Sequence, residues 1–277
     1  MPELPEVERG RRLAASVAEG RRIDAVECAV DAIVYAGVPA TAWAALQGRR
    51  VRAACRWGKQ LWFDLDSPPH PLFHFGMTGG FRVPGDTPLK LATGPAHRPD
   101  EWPPRYWKIL LRFDDGGELV MTDARRLGRL LLRDVPRDEP PLSRLGFDPL
   151  LALPPPGRFA ALLAARNVVI KSLLLDQGFA AGVGNWIADE VLFQARIDPR
   201  RRARDLDGRE AKRLRSVLRR IVEKAVSVDA ESRRYPKGWL FHRRWGRRAE
   251  AKTARGEAIE HIDIGGRTTA WVPAVQR

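Results

Sequence analysis

The amino end of the chain, Met1-Pro2-Glu3-Leu4-Pro5-Glu6-Val7-Glu8, places a proline nitrogen one position from a carboxylate. Removal of Met1 leaves Pro2 as a secondary amine. An α-amino group titrates near ~8, so a useful fraction is neutral at working pH. Such a group is a nucleophile that needs no separate base. Its attack on an aldehyde-like carbon gives an iminium, an electron sink for breaking bonds nearby. Glu3 stands where a proton donor and acceptor for those steps is needed. The same residues also suit a plain helix start, with proline at N1 and Glu3, Glu6 and Glu8 near the positive end. The segment alone leaves both readings open.

A second candidate is Gly178-Phe179-Ala180-Ala181-Gly182-Val183-Gly184-Asn185, which runs into a helical pattern. Glycines admit close backbone approach, and free amides at a helix start attract anions. Asn185 is a cap or phosphate donor there. A tight turn between helices explains the spacing equally well. The absence of a preceding strand disfavours a nucleotide-binding fold.

Charge narrows the class of partner. The 277 residues carry a formal +14. Residues 200–255 hold 20 basic and 7 acidic side chains, an excess of 13, which leaves +1 for the remainder. An Arg-rich genome composition would not confine the excess to one segment. A focused cationic field is the footprint of a polyanion such as nucleic acid. Two cysteines, Cys28 and Cys55, are too few for a disulfide framework or a cysteine zinc site. With no signal-peptide pattern and no bilayer-spanning apolar run, a cytoplasmic protein is expected.

These groups need a scaffold. Residues 3–18 carry a helical apolar stripe. Short strand-like runs follow at 23–30, 50–55, 60–65, 71–75, 108–113, 118–122 and 128–133, bounded by Gly, Pro and Asp turns, and they predict a β-sandwich or barrel. Residues 84–105 read as a long surface loop. The Pro-rich stretch 134–157 reads as a linker. Helices are expected at 158–165, 170–175, 185–194 and 206–226, the last with one apolar and one basic face. Within 231–277, two strands flank a Gly265-Gly266-Arg267 turn.

The opening motif together with Gly182-Val183-Gly184-Asn185 resembles the formamidopyrimidine-DNA glycosylase/endonuclease VIII family. Further matches fall in the family's order: Arg56-Trp57-Gly58-Lys59, His74-Phe75-Gly76-Met77-Thr78-Gly79-Gly80-Phe81-Arg82, and Thr122-Asp123-Ala124-Arg125-Arg126-Leu127-Gly128. The resemblance spans the chain. It implies an α+β fold: a catalytic helix and β-sandwich domain at 1–133, a linker at 134–157, a helix–two-turns–helix domain at 158–230 and a hairpin finger at 231–277. It implies a monomeric bifunctional glycosylase and abasic-site lyase acting on double-stranded DNA with oxidised bases or abasic sites. The rival on the same scaffold is a non-catalytic damaged-DNA binding protein. A helix–two-turns–helix module of ribosomal or topoisomerase type is disfavoured by the β-rich first half.

Carried over residue by residue, Pro2 is the nucleophile and Glu3 the acid for sugar-ring opening. Lys59 holds phosphates near the lesion, though by itself a lysine on a strand reads as solvated surface. Met77, Arg125 and Leu127 fill the space left by the extruded base, and Arg267 grips flanking phosphates. Met77 or Leu127 taken singly reads as core, and Leu127 stands where many relatives carry Phe. Glu6 reads as a solvated helix-face carboxylate. In most relatives four cysteines bind zinc. The aligned positions here are Lys252, Arg255, Val272 and Val275, so no metal or other cofactor is expected and the chain resembles a zincless-finger branch. The hairpin would be held by Ile259, Ile262, Ile264, Trp271 and Val272, with His242 and His261 as non-ligands. The short 227–240 segment favours formamidopyrimidines, oxidised pyrimidines and later guanine-oxidation products over 8-oxoguanine.

Overall fold

The computed structural model describes residues 2–86, 101–246 and 250–277. It divides into two compact units, 1–144 and 145–277. Among the described residues, no helix is long and apolar enough to cross a membrane.

Unit 1 opens with helix α1 (Leu4–Ala18), which starts at an extended Glu3. Two antiparallel four-stranded sheets follow. One contains β2 (Val51–Trp57), β3 (Gln60–Leu65), β4 (His70–His74) and β8 (Arg129–Arg133), in that order. The other runs β1 (Ile23–Cys28), β6 (Trp107–Phe113), β7 (Glu118–Thr122), β5 (Gly80–Arg82). Their inner faces, with Phe63, Phe73 and Phe81 in mutual ring contact, close one core over which α1 lies. Helix α1 touches strands of both sheets, β2 and β3 of one and β5 and β7 of the other. A Cβ on Gly10 would stand 2.7 Å from the Phe75 ring, so the absence of a side chain sets how closely α1 approaches.

The expected sandwich is present, with two additions. Strand β5 was not anticipated, nor was a 3-10 segment at Ala40–Leu46 that buries Trp43 and Leu46. Of the expected loop 84–105, residues 87–100 lie outside the described residues. The start of the Pro-rich stretch belongs to unit 1: Leu142 packs with Trp62 and Leu72, and Arg137 sits over the Trp57 ring.

Unit 2 holds α2 (Pro156–Ala164), α3 (Ile170–Leu175), α4 (Asn185–Ala195) and α5 (Gly208–Ser227). Asp207 and Glu210 form a reciprocal capping box that starts α5 two residues later than its apolar pattern suggests. The buried face of α5 is Leu214, Val217, Leu218, Ile221 and Val222. A hairpin, β9 (Glu260–Ile264) and β10 (Arg267–Trp271), turns at Gly265 and Gly266, both at positive φ as a tight hairpin requires. Ile259 and Val272 join Leu240 and Ala270 in a small core beneath it, whereas Ile262 and Ile264 are only half-buried.

Replacing Gly10 with alanine forces the Phe75 ring or the helix to move. Overpacking of this kind costs about 1–3 kcal/mol, and urea unfolding should show the midpoint falling with little change in slope.

Candidate functional site

Pro2 and its neighbours sit at the start of α1. Pro2 is buried and lines a cavity of about 80 Å³ with Glu6, Arg9, Gly10, Thr78 and Gly79. Glu3, 2% exposed, caps the helix in a reciprocal capping box in which Glu6 Oε2 accepts the Glu3 N–H at 2.9 Å. Glu6 is therefore no solvated helix-face carboxylate, which corrects that expectation. Burial first, and then the charge of Glu3, pushes its pKa up to about 7. Glu6 is thereby disposed to hold a proton near neutrality.

Lys59 sits in the turn between β2 and β3. That turn is tied to α1 by Arg56, which is buried and donates to Glu8 Oε2 at 2.9 Å and to the Gly58 carbonyl at 3.0 Å. Burial alone would raise the Glu8 pKa; hydrogen bonds from Arg11 and Arg56 outweigh it and hold the carboxyl below its usual value. Burial, reinforced by the charges of Lys59 and Arg129, lowers His74 to about 4, leaving it neutral at physiological pH.

Met77, Arg125 and Leu127 lie on two loops that interlock. Gly76, at φ +63, packs so tightly that a Cβ would meet the Leu127 carbonyl carbon at 2.4 Å. Buried Asp123 accepts the backbone N–H groups of Gly128 at 2.6 Å and Arg125 at 3.2 Å, and the Thr78 hydroxyl lies 3.5 Å away. Between the two exposed residues, Arg126 takes a left-handed conformation and turns back onto Asp31, its Nε 3.0 Å from Oδ2. Lys108 reaches the same oxygen at 2.8 Å. Burial would raise the Asp31 pKa, but these cations hold it far below the carboxylate range. Leu127 is left 42% exposed.

The remaining predicted residues belong to unit 2. Asn185 is the first residue of α4, and its side-chain amide donates to the Thr268 carbonyl of β10 at 2.8 Å. Arg267 is exposed at the hairpin tip. His261 Nε2 lies 3.1 Å from the Arg244 carbonyl and His242 Nε2 lies 3.4 Å from the Tyr235 carbonyl. Among the described residues no group of three or more His, Cys, Asp or Glu is arranged to hold a metal ion.

Sequence reasoning missed a buried polar centre in this unit. Asp189 Oδ2 accepts from Arg244 Nε at 3.0 Å and from the Ala270 N–H at 3.1 Å, while Oδ1 pairs with the buried Lys171 ammonium. Lys171 also donates to the Asn185 carbonyl at 3.1 Å. The signal was present in the spacing: Asp189 follows Asn185 by four, on one helix face. Neighbouring Glu190 accepts from Gln194 at 2.6 Å and from the Phe241 N–H at 2.8 Å. Burial pushes its pKa up to about 7.

Comparison with known proteins defines the class. The formamidopyrimidine-DNA glycosylase N-terminal domain matches residues 1–130, and the H2TH domain of the same glycosylases matches residues 145–236. The chain belongs to the formamidopyrimidine-DNA glycosylase family and is a DNA glycosylase of that kind, acting on damaged DNA. It is 42% identical over its full length to an Arabidopsis thaliana formamidopyrimidine-DNA glycosylase, covering 71% of that protein. A Geobacter metallireducens glycosylase of the same name is 33% identical, with both chains covered completely. In fold, the chain matches MutM in complex with DNA containing carbocyclic 8-oxo-G, at a TM-score of 0.80, 25% identity and full coverage of both chains. It also matches the Lactococcus lactis glycosylase bound to DNA with an abasic site, at 0.79 and 24% identity over 99% of each.

A carboxyl whose pKa rises on folding keeps a proton in the native state that the unfolded chain releases. Glu190 therefore subtracts stability as pH climbs from 4.5 through about 7. In Glu190→Gln this loss is absent, so its stability relative to the parent should increase between about pH 5 and about pH 8. Urea midpoints for both proteins at the two pH values give the comparison; an unchanged difference would remove Glu190 from the pH-sensitive groups.

Proposed function

We propose that the chain is a bifunctional glycosylase and abasic-site lyase that excises oxidised bases through the Pro2 amine. The observation that carries this reading is the burial of Pro2 beside Glu3 and Glu6 at one helix start, on a cavity whose walls include α1 and the Thr78–Gly80 segment. With Met1 removed, the Pro2 nitrogen attacks C1′ of the damaged nucleotide, and the bond to the base breaks with its electron pair leaving on the base nitrogen. Glu3 protonates the ring oxygen as the sugar opens, giving an iminium. The iminium accepts electrons as a C2′ proton is lost and the 3′ phosphate departs; a second elimination releases the 5′ phosphate. Timed proton transfers of this kind suit carboxyl groups held close to the reacting amine.

Lys59 supports the phosphates near the lesion, and Arg267 grips those flanking it through charge-assisted hydrogen bonds. Base extrusion costs a few kcal/mol. Met77, Leu127 and Arg125, held at the tips of interlocked loops, offset lost stacking as apolar wedges and a guanidinium. The N-terminus of α4 at Asn185 receives a backbone phosphate. The hairpin carrying Arg267 works without zinc, braced by its apolar core and Asp189. The segment after α5 does not extend outward. Tyr235, Trp239 and Phe241 pack on Trp186 with ring centroids 5.1–6.3 Å from it. A compact cover of this kind favours formamidopyrimidines and oxidised pyrimidines over 8-oxoguanine.

Borohydride reduction on a duplex with an abasic site tests the amine directly. Mass-verified, Met-free protein should form a covalent adduct that chelators do not affect. The adduct should vanish when Pro2→Gly is combined with one residue added ahead of it. No adduct from the trimmed protein would leave a damaged-DNA binding protein in place of the lyase.

Arg267→Ala should weaken duplex binding and reduce the slope of log affinity against log salt by about 1. An unchanged slope from titrations at several salt concentrations would strike Arg267 from the phosphate contacts.

A further inference from the structure

Unit 2 has a basic concavity at the opposite end of α4 from Asn185. It is a pocket of about 660 Å³ into which Arg196, Arg201, Arg213, Arg255 and Arg277 converge. Helix α4 spans eleven residues, about 16 Å at 1.5 Å per residue, between Asn185 and this pocket. The five-residue strands of the hairpin likewise separate the pocket from Arg267 by about 17 Å.

The charges there are unevenly used. Glu210 is engaged by Arg201, with Nη2 2.9 Å from Oε2, and Glu257 is engaged by the Thr253 hydroxyl. Arg213 directs its Nε–H to the Ala195 carbonyl at 2.6 Å. The side chains of Arg196, Arg255 and Arg277 make no hydrogen bond or ion pair among the described residues, and all three are exposed. Like charges gathered in a concave wall repel one another, and an anionic ligand removes that cost. Ala274 and Val275 add an apolar part to the lining. Arg255 and Val275 are also two of the four positions aligned above with metal ligands, so a basic, partly apolar hollow opens at this chain's own replacements.

We propose that this pocket binds an acidic peptide segment of a partner protein, its carboxylates forked onto the guanidiniums and one apolar side chain set against Val275. Arginine pairs with carboxylates bidentately. A phosphate backbone would use the guanidiniums but has no group for the apolar lining, and two glutamates interrupt any continuous phosphate track. The proposal goes beyond the glycosylase reading and stands independently of it.

The test is fluorescence anisotropy with a fluorescein-labelled, aspartate-rich peptide carrying one central leucine. Saturable binding should persist when the protein is already saturated with unlabelled duplex DNA. The double variant Arg255→Glu/Arg277→Glu should bind the peptide about tenfold more weakly or worse. The same variant should keep its melting temperature and its borohydride adduct with abasic duplex, which separates this inference from the lyase reading. The proposal falls if the peptide does not saturate or if the variant binds it equally well. It also falls if duplex DNA displaces the peptide, which would make the pocket part of the DNA path, or if inorganic phosphate at equal charge does, which would make it a simple anion site.

Discussion

The end of unit 1 that carries Pro2 depends on the ion pair between Glu8 and Arg56. Arg56 is buried at 3% exposure and Glu8 at 6%. Removing two charges from water costs several kcal/mol, so such a pair persists only with good geometry and further hydrogen bonds. Both conditions hold here: Arg11 adds a second guanidinium to Glu8, and Arg56 spends another donor on the Gly58 carbonyl. The consequence is positional. Glu8 lies on α1, six residues after Pro2, and Gly58 directly precedes Lys59. One guanidinium therefore ties the helix that follows Pro2 to the turn bearing Lys59.

A different device holds the loops of Met77 and Leu127. Between Phe75 and Gly80 the chain turns sharply, with Gly76 in a left-handed conformation and pressed against the Leu127–Gly128 backbone. Asp123 then satisfies amides of the second loop with one carboxylate. Loops braced in this manner have little conformational entropy left to lose, so binding energy need not be spent on ordering them. Asp31 extends the brace by holding Arg126, which leaves Arg125 and Leu127 as the residues presented outward.

Local pattern made much of this legible. The apolar stripe at 3–18 became α1, and all seven strand-like runs became strands within two residues of their expected ends. The runs at 60–65 and 118–122 matched outright. The opening motif, the glycine-rich turn before Asn185 and the Gly-Gly tip of the hairpin were readable because each rests on backbone chemistry confined to a few residues. What escaped was non-local. Glu8 on an amphipathic helix looks solvated until Arg56, 48 positions later, covers it. Glu6 looked solvated for the same reason. Strand β5 is three residues long and exists through its pairing with β7, which no periodicity in so short a run reports.

The hairpin in unit 2 shows how position is set there without a cluster of metal ligands among the described residues. Its strand β10 pairs with β9 along one edge. On the other edge, the Thr268 carbonyl and the Ala270 N–H meet Asn185 and Asp189 of α4. Residues 268 and 270 share that edge because backbone groups alternate along a strand, and they are about 6.8 Å apart along it. Asn185 and Asp189 are four apart on a helix and separated by about 6.0 Å of rise. The two repeats nearly coincide, so α4 offers side-chain partners at the spacing a neighbouring strand would use. A slip of one residue would turn both groups away and leave the Asp189 carboxylate short of a partner in a buried setting. Buried Lys171 and Arg244 raise that cost, since neither cation has water to fall back on. The register of β10, and with it the placement of Arg267 one residue before Thr268, follows from a helix face meeting a strand edge.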